Sequence, residues 1–264
     1  MKIAVHDLSL TYGSRVVVDG VSFEVASGEM VSIVGPNGSG KSTLLRGMAR
    51  LHRPHAGSVL LDGRDVRSMR SRQVARQLAI LPQSPEAGLD LTVRELAWRG
   101  RFPHQGPLQR PTQPDVEAVE FALTAADMRG LANRPLGSLS GGERQRAWIA
   151  LALAQQPKVL LLDEPTSYLD IAHAAEVMNL LRRLNRDGLT VVAVLHDLLL
   201  AARYSDRIIA IHEGRIAFDG APRQVLRPEV LEPVFGIAMS VIPDPDTGLP
   251  IPLPRMSCQG LTDC

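Results

Sequence analysis

Cysteine is nearly absent from this chain of 264 residues: there are two, Cys258 and Cys264, both in the C-terminal tail. A disulfide framework or a cysteine-based metal centre needs more than that, so the pair reads as reduced thiols. Long apolar runs are also missing. Crossing a bilayer takes roughly 18 to 20 apolar residues, and the longest candidate, LTVVAVLHDLLLAA, is broken by His196 and Asp197. The opening stretch, MKIAVHDLSLTYG, has no long apolar segment of the kind a secretory signal carries, which predicts a cytoplasmic protein. Charge of one sign is lacking too. The 29 basic and 28 acidic residues leave a net charge of +1, which gives no broad electrostatic footprint for nucleic acid. The basic stretch RDVRSMRSRQVAR reads as a solvated helix face. There are no internal repeats. What remains is ordinary globular composition, 45% apolar and 22% charged, in a length that fits one large domain or two modest ones.

Three short apolar runs read as parallel strands buried on both faces: MVSIV (30–34), VLLL (159–162) and TVVAVL (190–195). Each is followed at once by residues capable of chemistry: a glycine loop, then Asp163-Glu164, then His196-Asp197. In open α/β sheets ligands sit beyond the carboxyl ends of the strands, so three strands would deliver reactive groups to one edge. Periodic segments between them, KSTLLRGMARL, AAEVMNLLRRLNR and DLLLAARYS, suit helices. Up to about residue 27 apolar and polar residues alternate, which predicts an antiparallel sheet with turns at Gly13 and Gly20. From about 86 to 155 the rhythm turns helical (TVRELAWRG, DVEAVEFALTAADM) around a proline-rich loop, RFPHQGPLQRPTQP. This predicts a helical insertion in an α/β domain that covers about residues 1–240. The segment from 241 to 264 is proline-rich and aperiodic, expected to form a strand or two and then a loose tail.

The strongest motif is Gly35-Pro36-Asn37-Gly38-Ser39-Gly40-Lys41-Ser42-Thr43, which fits G-x-x-x-x-G-K-[ST] between a strand and a helix. Its glycines let backbone N–H groups close around phosphate oxygens, and the helix start adds favourable partial charge. Lys41 would bridge the β- and γ-phosphates, and the Ser42 hydroxyl would ligate Mg²⁺. In VLLLDEP, Asp163 would hold Mg²⁺ and Glu164 would act as general base on the attacking water. His196 shares the same edge, within reach of the γ-phosphate or that water. Gln83, in LAILPQS, also follows an apolar run. A second anion-binding helix start appears at SLSGGERQRAWIALALAQQ (138–156), which one nucleotide site does not require.

Taken together the set resembles the ATP-binding cassette ATPases. GPNGSGKST is similar to their phosphate loop, Gln83 to their Q-loop, LSGGE (139–143) to their signature motif, VLLLDEP to their Walker B strand, SYLD (167–170) to their D-loop, and His196 to their switch histidine. The resemblance covers nearly the whole chain. It implies an α/β P-loop NTPase fold with a RecA-like parallel-sheet core, an N-terminal antiparallel β-subdomain and a helical insertion. It also implies ATP hydrolysis with Mg²⁺, held by Ser42, Gln83 and Asp163, and adenine stacked on Tyr12. Ser140, Gly141 and Gly142 would cap the γ-phosphate bound to a second copy of the chain, with Asp170 contributing from the D-loop. Two chains would then enclose two ATP molecules in a homodimer. Two positions depart from the family pattern: Glu143, where glutamine is commoner, and Tyr168, where a smaller residue is frequent. Both are expected to be tolerated variation.

A narrower resemblance lies in VRELAWRGRFPHQGPL (93–108), AWIALALAQ (147–155), YLDIAHAAEVMNLLRRLN (168–185) and VFGIAMSVIPDPDTGLP (234–250). These are similar to ATPase subunits of bacterial importers for iron(III)-siderophore complexes, a pattern shared with haem and cobalamin importers. The resemblance implies a peripheral protein on the cytoplasmic face of the inner membrane. It implies integral-membrane permease subunits as partners and, indirectly, a substrate-binding protein, with GRFPHQ as the clue to the permease. An exporter ATPase keeps the chemistry and reverses the direction. A ribosome- or DNA-directed ATPase of this class carries two cassettes or a long coiled coil, and neither is present here.

Overall fold

The computed structural model describes residues 1–83, 90–106 and 110–255. Cys258 and Cys264 lie outside the described residues. The chain opens with β1 (Ile3–Tyr12) and β2 (Arg15–Val25), then β3 (Met30–Val34) and α1 (Lys41–Met48). β4 (Ala56–Leu61), β5 (Arg64–Asp65), α2 (Ser71–Ala75) and β6 (Leu78–Leu81) follow. Next come three helices, α3 (Val93–Arg99), α4 (Gln113–Ala125) and α5 (Gly141–Ala154). β7 (Val159–Asp163), α6 (Ile171–Arg186), β8 (Thr190–Val194), α7 (Leu198–Tyr204), β9 (Arg207–His212) and β10 (Arg215–Gly220) complete the main body. The chain then runs through α8 (Pro222–Val225), α9 (Pro228–Phe235), β11 (Met239–Pro243) and β12 (Pro250–Pro254).

The central sheet has the order β10-β9-β3-β8-β7-β6, with the pairs from β9 to β6 parallel and β10 antiparallel at the edge. Every residue of β3, β7 and β8 is buried, as their unbroken apolar runs predict. Alternation along these strands splits the interior in two. Met30, Leu160, Leu162, Val191 and Ala193 face a core shared with the helical segment, α6 and α7. Val31, Ile33, Leu161, Val192 and Val194 face a second core, closed by α1 and the antiparallel sheet. That sheet has the order β2-β1-β4-β5. β6, β9 and the edge strand β10 complete the central sheet beyond the three runs read from the sequence, and β4 and β5 add two strands to the antiparallel sheet.

Gly13 lies in the turn between β1 and β2, as expected, but Gly20 does not make a turn. β2 runs through it, and Gly20 takes a φ of 60° inside the strand. Leu8 pairs with Val21 and Leu10 with Val18, so β2 carries one residue more than β1 there. The glycine serves a β-bulge.

Within the stretch RGRFPHQ, expected to mark the permease contact, several residues pack inside the helical segment. Arg101 is buried: its Nε donates to Asp115 Oδ1 at 2.9 Å, and its Nη1 donates to the Ala154 carbonyl at 2.7 Å and Gln156 Oε1 at 3.0 Å. His104 Nε2 bonds to the Gln155 carbonyl at 2.9 Å. A Cβ on Gly100 would run into the Leu151 carbonyl oxygen. These residues knit the end of α3 to α4 and α5, and only Phe102, 66% exposed, is left facing outward as a large apolar group.

The C-terminal strands β11 and β12 form a separate antiparallel hairpin, with Met239 opposite Pro254 and Pro243 opposite Pro250. Arg203 Nη2 on α7 donates to Asp244 Oδ2 at 3.0 Å and ties the hairpin to the main body.

Candidate active site

The sheet order places the carboxyl ends of β3, β8, β7 and β6 side by side. The residues that follow them are the glycine loop, His196, Asp163-Glu164 and Gln83. Four sequence-predicted groups therefore meet at one edge.

Loop 35–40 joins β3 to α1 and brings two glycines against neighbouring backbone. Gly40 has a φ of 102°, and a Cβ there would lie 2.6 Å from the Val17 carbonyl oxygen. Gly35, at φ 147°, would press a Cβ into the Ile211 carbonyl. No side chain satisfies both demands. Asn37 and Gly38 sit exposed at the crown of the loop, whereas Ser39 and Lys41 are buried. The Lys41 ammonium donates to the carbonyls of Gly35 at 2.9 Å and Pro36 at 2.8 Å. Burial lowers its pKa, and the charges of Glu164 and Asp163 oppose that shift. Among the described residues the Ser39 hydroxyl is buried without a hydrogen-bond partner. A buried orphan hydroxyl is costly unless something else satisfies it, and here it lies in a loop built to wrap an anion. Thr43 follows half-buried in the first turn of α1.

Asp163 ends β7 at 3% exposure and accepts a 2.7 Å bond from the Ser42 hydroxyl. Burial raises its pKa, the Ser42 bond lowers it, and the neighbouring Glu164 charge raises it further. Ser42 and Asp163 are thus already paired as hard oxygen donors of the kind Mg²⁺ takes.

Glu164 sits one step beyond the strand with a φ of 53°, a left-handed conformation that separates its side chain from that of Asp163. Three groups converge on its carboxylate. Gln83 Nε2 and the Ser167 hydroxyl, the latter at 2.9 Å, donate to Oε2, and His196 Nε2 pairs with Oε1. Gln83 and His196 are among the residues singled out in the sequence. Ser167 enters the sequence reading only as the first residue of SYLD, without a role of its own, because that role depends on the turn that follows Glu164.

Ser140, Gly141 and Gly142 occupy a separate place. Ser140 caps α5: its hydroxyl accepts from the Glu143 N–H at 3.2 Å, and Glu143 Oε2 accepts from the Ser140 N–H at 2.8 Å. This reciprocal capping box gives Glu143 a local job, and the S-x-x-E spacing announces it in the sequence. The Ser140 bonds and burial act in opposite directions on Glu143, and its pKa ends lowered. Among the described residues no hydrogen bond or ion pair joins residues 140–142 to the phosphate loop. Asp170 caps α6 by accepting from His173 N and Nδ1, each at 2.8 Å. Tyr168 and Ile171 are both 91% exposed, and Ile171 lines a groove of about 360 Å³ together with Glu164, Leu169, His196 and Leu199. Tyr12 is half exposed, with its ring against His52 at a centroid distance of 4.6 Å.

Among the described residues no helix is long and apolar enough to cross a membrane, and no group of three His, Cys, Asp or Glu gathers to hold a metal. Comparison with known proteins gives the family of the chain. Residues 18–167 match the ABC transporter family. The iron(3+)-hydroxamate import ATP-binding protein FhuC of Bacillus subtilis strain 168 is 44% identical over 250 residues, 94% of this chain and 93% of its own length. Among solved structures, a chain assigned to the metal-chelate type of ABC transporter, in an inward-facing conformation, is 27% identical with a TM-score of 0.84, covering 96% of this chain and 97% of its own. A dimeric bacterial ABC transporter cassette is 31% identical with a TM-score of 0.72, covering 83% of this chain and 98% of its own. With a phosphate loop, a carboxylate pair and a second helix start in one cassette fold, the chain belongs to the ABC transporter ATP-binding proteins, the ATPases that drive transport.

Proposed function

We propose that this chain is the ATP-hydrolysing subunit of a bacterial importer for iron(III)-siderophore complexes. The observation that carries the catalytic part is the convergence of Gln83, Ser167 and His196 on Glu164. A carboxylate offers about four lone-pair sites. Gln83 and Ser167 take the two on Oε2 and His196 takes one on Oε1, which leaves one site on Oε1 beside the imidazole. A water held there loses its proton to Glu164 as it attacks, with His196 next to both. Lys41 and the orphan Ser39 hydroxyl supply donors for phosphate oxygens, and Tyr12 packs against adenine. Ser42 and Asp163, with Gln83 at the same edge, are the residues that would hold Mg²⁺, which neutralises charge on the β- and γ-phosphate oxygens when bound.

Ser140, Gly141 and Gly142 then serve the γ-phosphate on a second copy, with Asp170 fixing the adjoining helix start. The separation of this helix start from the chain's own phosphate loop supports that reading, as does the exposure of Tyr168 and Ile171. The resulting homodimer sits against permease subunits at the cytoplasmic face of the inner membrane, and a substrate-binding protein delivers the cargo.

The cargo follows from the hydroxamate importer FhuC, to which the chain is similar along nearly its whole length. The test is uptake by cells lacking this chain, using labelled ferric hydroxamate siderophore, haem and cobalamin, with wild type or Lys41→Ala restored. Loss of siderophore uptake alone, rescued only by wild type, is the expected result. Normal siderophore uptake with lost haem or cobalamin uptake would move the cargo, and no defect in any of the three would sink the importer reading.

A further inference from the structure

The start of α5 is held by a residue that no catalytic role accounts for. A Cβ on Gly142 would run into His173 Cδ2, with His173 Cγ at 2.8 Å and Cβ at 3.0 Å, and these are the three nearest atoms. Gly142 is not among the residues with positive φ. Space is what excludes a side chain at this position: two imidazole ring atoms lie inside contact distance and the His173 Cβ sits at its limit. The ring is itself fixed. Its Nδ1–H donates to Asp170 Oδ1 at 2.8 Å, and the His173 backbone N–H donates to the same oxygen. One residue further back, Leu169 lies under Gly141, where an added Cβ would meet Leu169 Cδ2 at 3.4 Å. Two more residues back, Ser167 bonds to Glu164. A continuous chain of contacts therefore runs from the Glu164 carboxylate through residues 167–173 to the glycines that open α5.

We propose that His173 is a positioning residue that docks the phosphate-facing start of α5 onto the start of α6. This inference rests on the two-chain arrangement proposed above. On that arrangement the Glu164 carboxylate acts on one nucleotide while the Gly141-Gly142 start serves the other. The Asp170–His173 pair makes the two elements move as one body within each chain. Removing the ring leaves a void under Gly142 and frees the helix start from the 164–170 turn. The chain's own phosphate loop, which among the described residues shares no hydrogen bond or ion pair with residues 167–173, keeps its geometry.

The test uses the full chain carrying Glu164→Gln, so that ATP is bound and not consumed. Two quantities are read: the affinity of the single chain for a fluorescent ATP analogue, and the MgATP-driven dimer constant by sedimentation equilibrium. His173→Ala is expected to leave the first unchanged and weaken the second about tenfold, in the range of coupling between contacting residues. Gly142→Ala is expected to abolish pairing in the presence of His173. In the His173→Ala background its extra cost is expected to fall by at least about tenfold, because the two ring atoms are gone and only the Cβ at position 173, at 3.0 Å, still crowds the added methyl. A dimer constant unmoved by His173→Ala, or a Gly142→Ala cost undiminished without the ring, overturns the inference alone. Failure of the Glu164→Gln chain to pair with MgATP at all overturns the two-chain reading and this inference together.

Discussion

Arg101→Ala is a test of what the RGRFPHQ stretch is for. The guanidinium is 3% exposed and satisfies three acceptors: Asp115 Oδ1 on α4, the Ala154 carbonyl at the end of α5, and Gln156 Oε1. Truncation leaves a buried carboxylate uncompensated and a buried carbonyl bare, a change that costs about 3 to 5 kcal/mol. For a chain of this size that lowers Tm by about 10 °C. The pH dependence is a second check. Burial raises the Asp115 pKa, but bonds from the Thr112 N–H and hydroxyl and from Arg101 outweigh it and bring the carboxyl from 3.8 to about 2. A depressed pKa stabilises the fold above the unfolded value, and that contribution is lost as pH falls from about 4 toward 2. The shift is worth about 2 kcal/mol. The stability gap between wild type and Asp115→Asn, read by urea unfolding, is therefore full at pH 7 and shrinks below pH 4. Phe102→Ala is the companion: exposed, it is expected to leave Tm and isolated ATPase activity unchanged while lowering transport. An Arg101→Ala loss below about 1 kcal/mol would refute the structural role assigned to Arg101.

Three further changes probe the site itself. Glu164→Gln is expected to retain ATP binding and lose at least about 100-fold in turnover, the low end of general-base effects; near-normal phosphate release would remove Glu164 from the base role. Ser39→Ala removes a buried hydroxyl with no partner among the described residues, so the unliganded protein is expected to gain about 1 kcal/mol in urea unfolding while ATP affinity falls. A loss of stability would mean that the hydroxyl is satisfied after all. Gly40→Ala must place a methyl 2.6 Å from the Val17 carbonyl at a φ of 102°. Calorimetric titration is expected to show nucleotide binding lost, and wild-type affinity would show that the loop yields more easily than its contacts suggest.

Much of the site is legible in the sequence because its spacing is local. The phosphate loop, Asp163-Glu164 and His196 each follow a short run of buried strand residues, and a parallel sheet carries such endings to one edge. Other features depend on the path the chain takes afterwards. Glu164 and Tyr168 both adopt left-handed φ values, 53° and 64°, which neither residue type signals. The turn between them is what brings Ser167 back to Glu164 and sets His173 beneath Gly142. Arg101 reads as a surface residue because arginine is seldom buried, and only three acceptors from two other helices and their flanks make its burial possible. Gly20 shows a different ambiguity, since a positive φ serves a bulge as well as a turn. The strand β4, AGSVLL, opens on small and polar residues and does not stand out beside the apolar runs.

The C-terminal hairpin has a property that matters when many copies of this chain are crowded together. A two-stranded ribbon outside the main sheet offers backbone edges on which another chain could add a strand. Asp244 N–H donates to the Leu249 carbonyl and Arg255 N–H to the Ala238 carbonyl. By alternation, positions 250, 252 and 254 are the ones whose nitrogens face away from β11. All three are proline. The outer edge of β12 thus has no hydrogen to donate, and on the opposite strand the Met239 N–H is already taken by Glu232 Oε1 at 2.8 Å. A ribbon built this way cannot seed a growing sheet along β12, and the exposed Ile242 and Leu253 can remain at the surface without inviting polymerisation through the backbone.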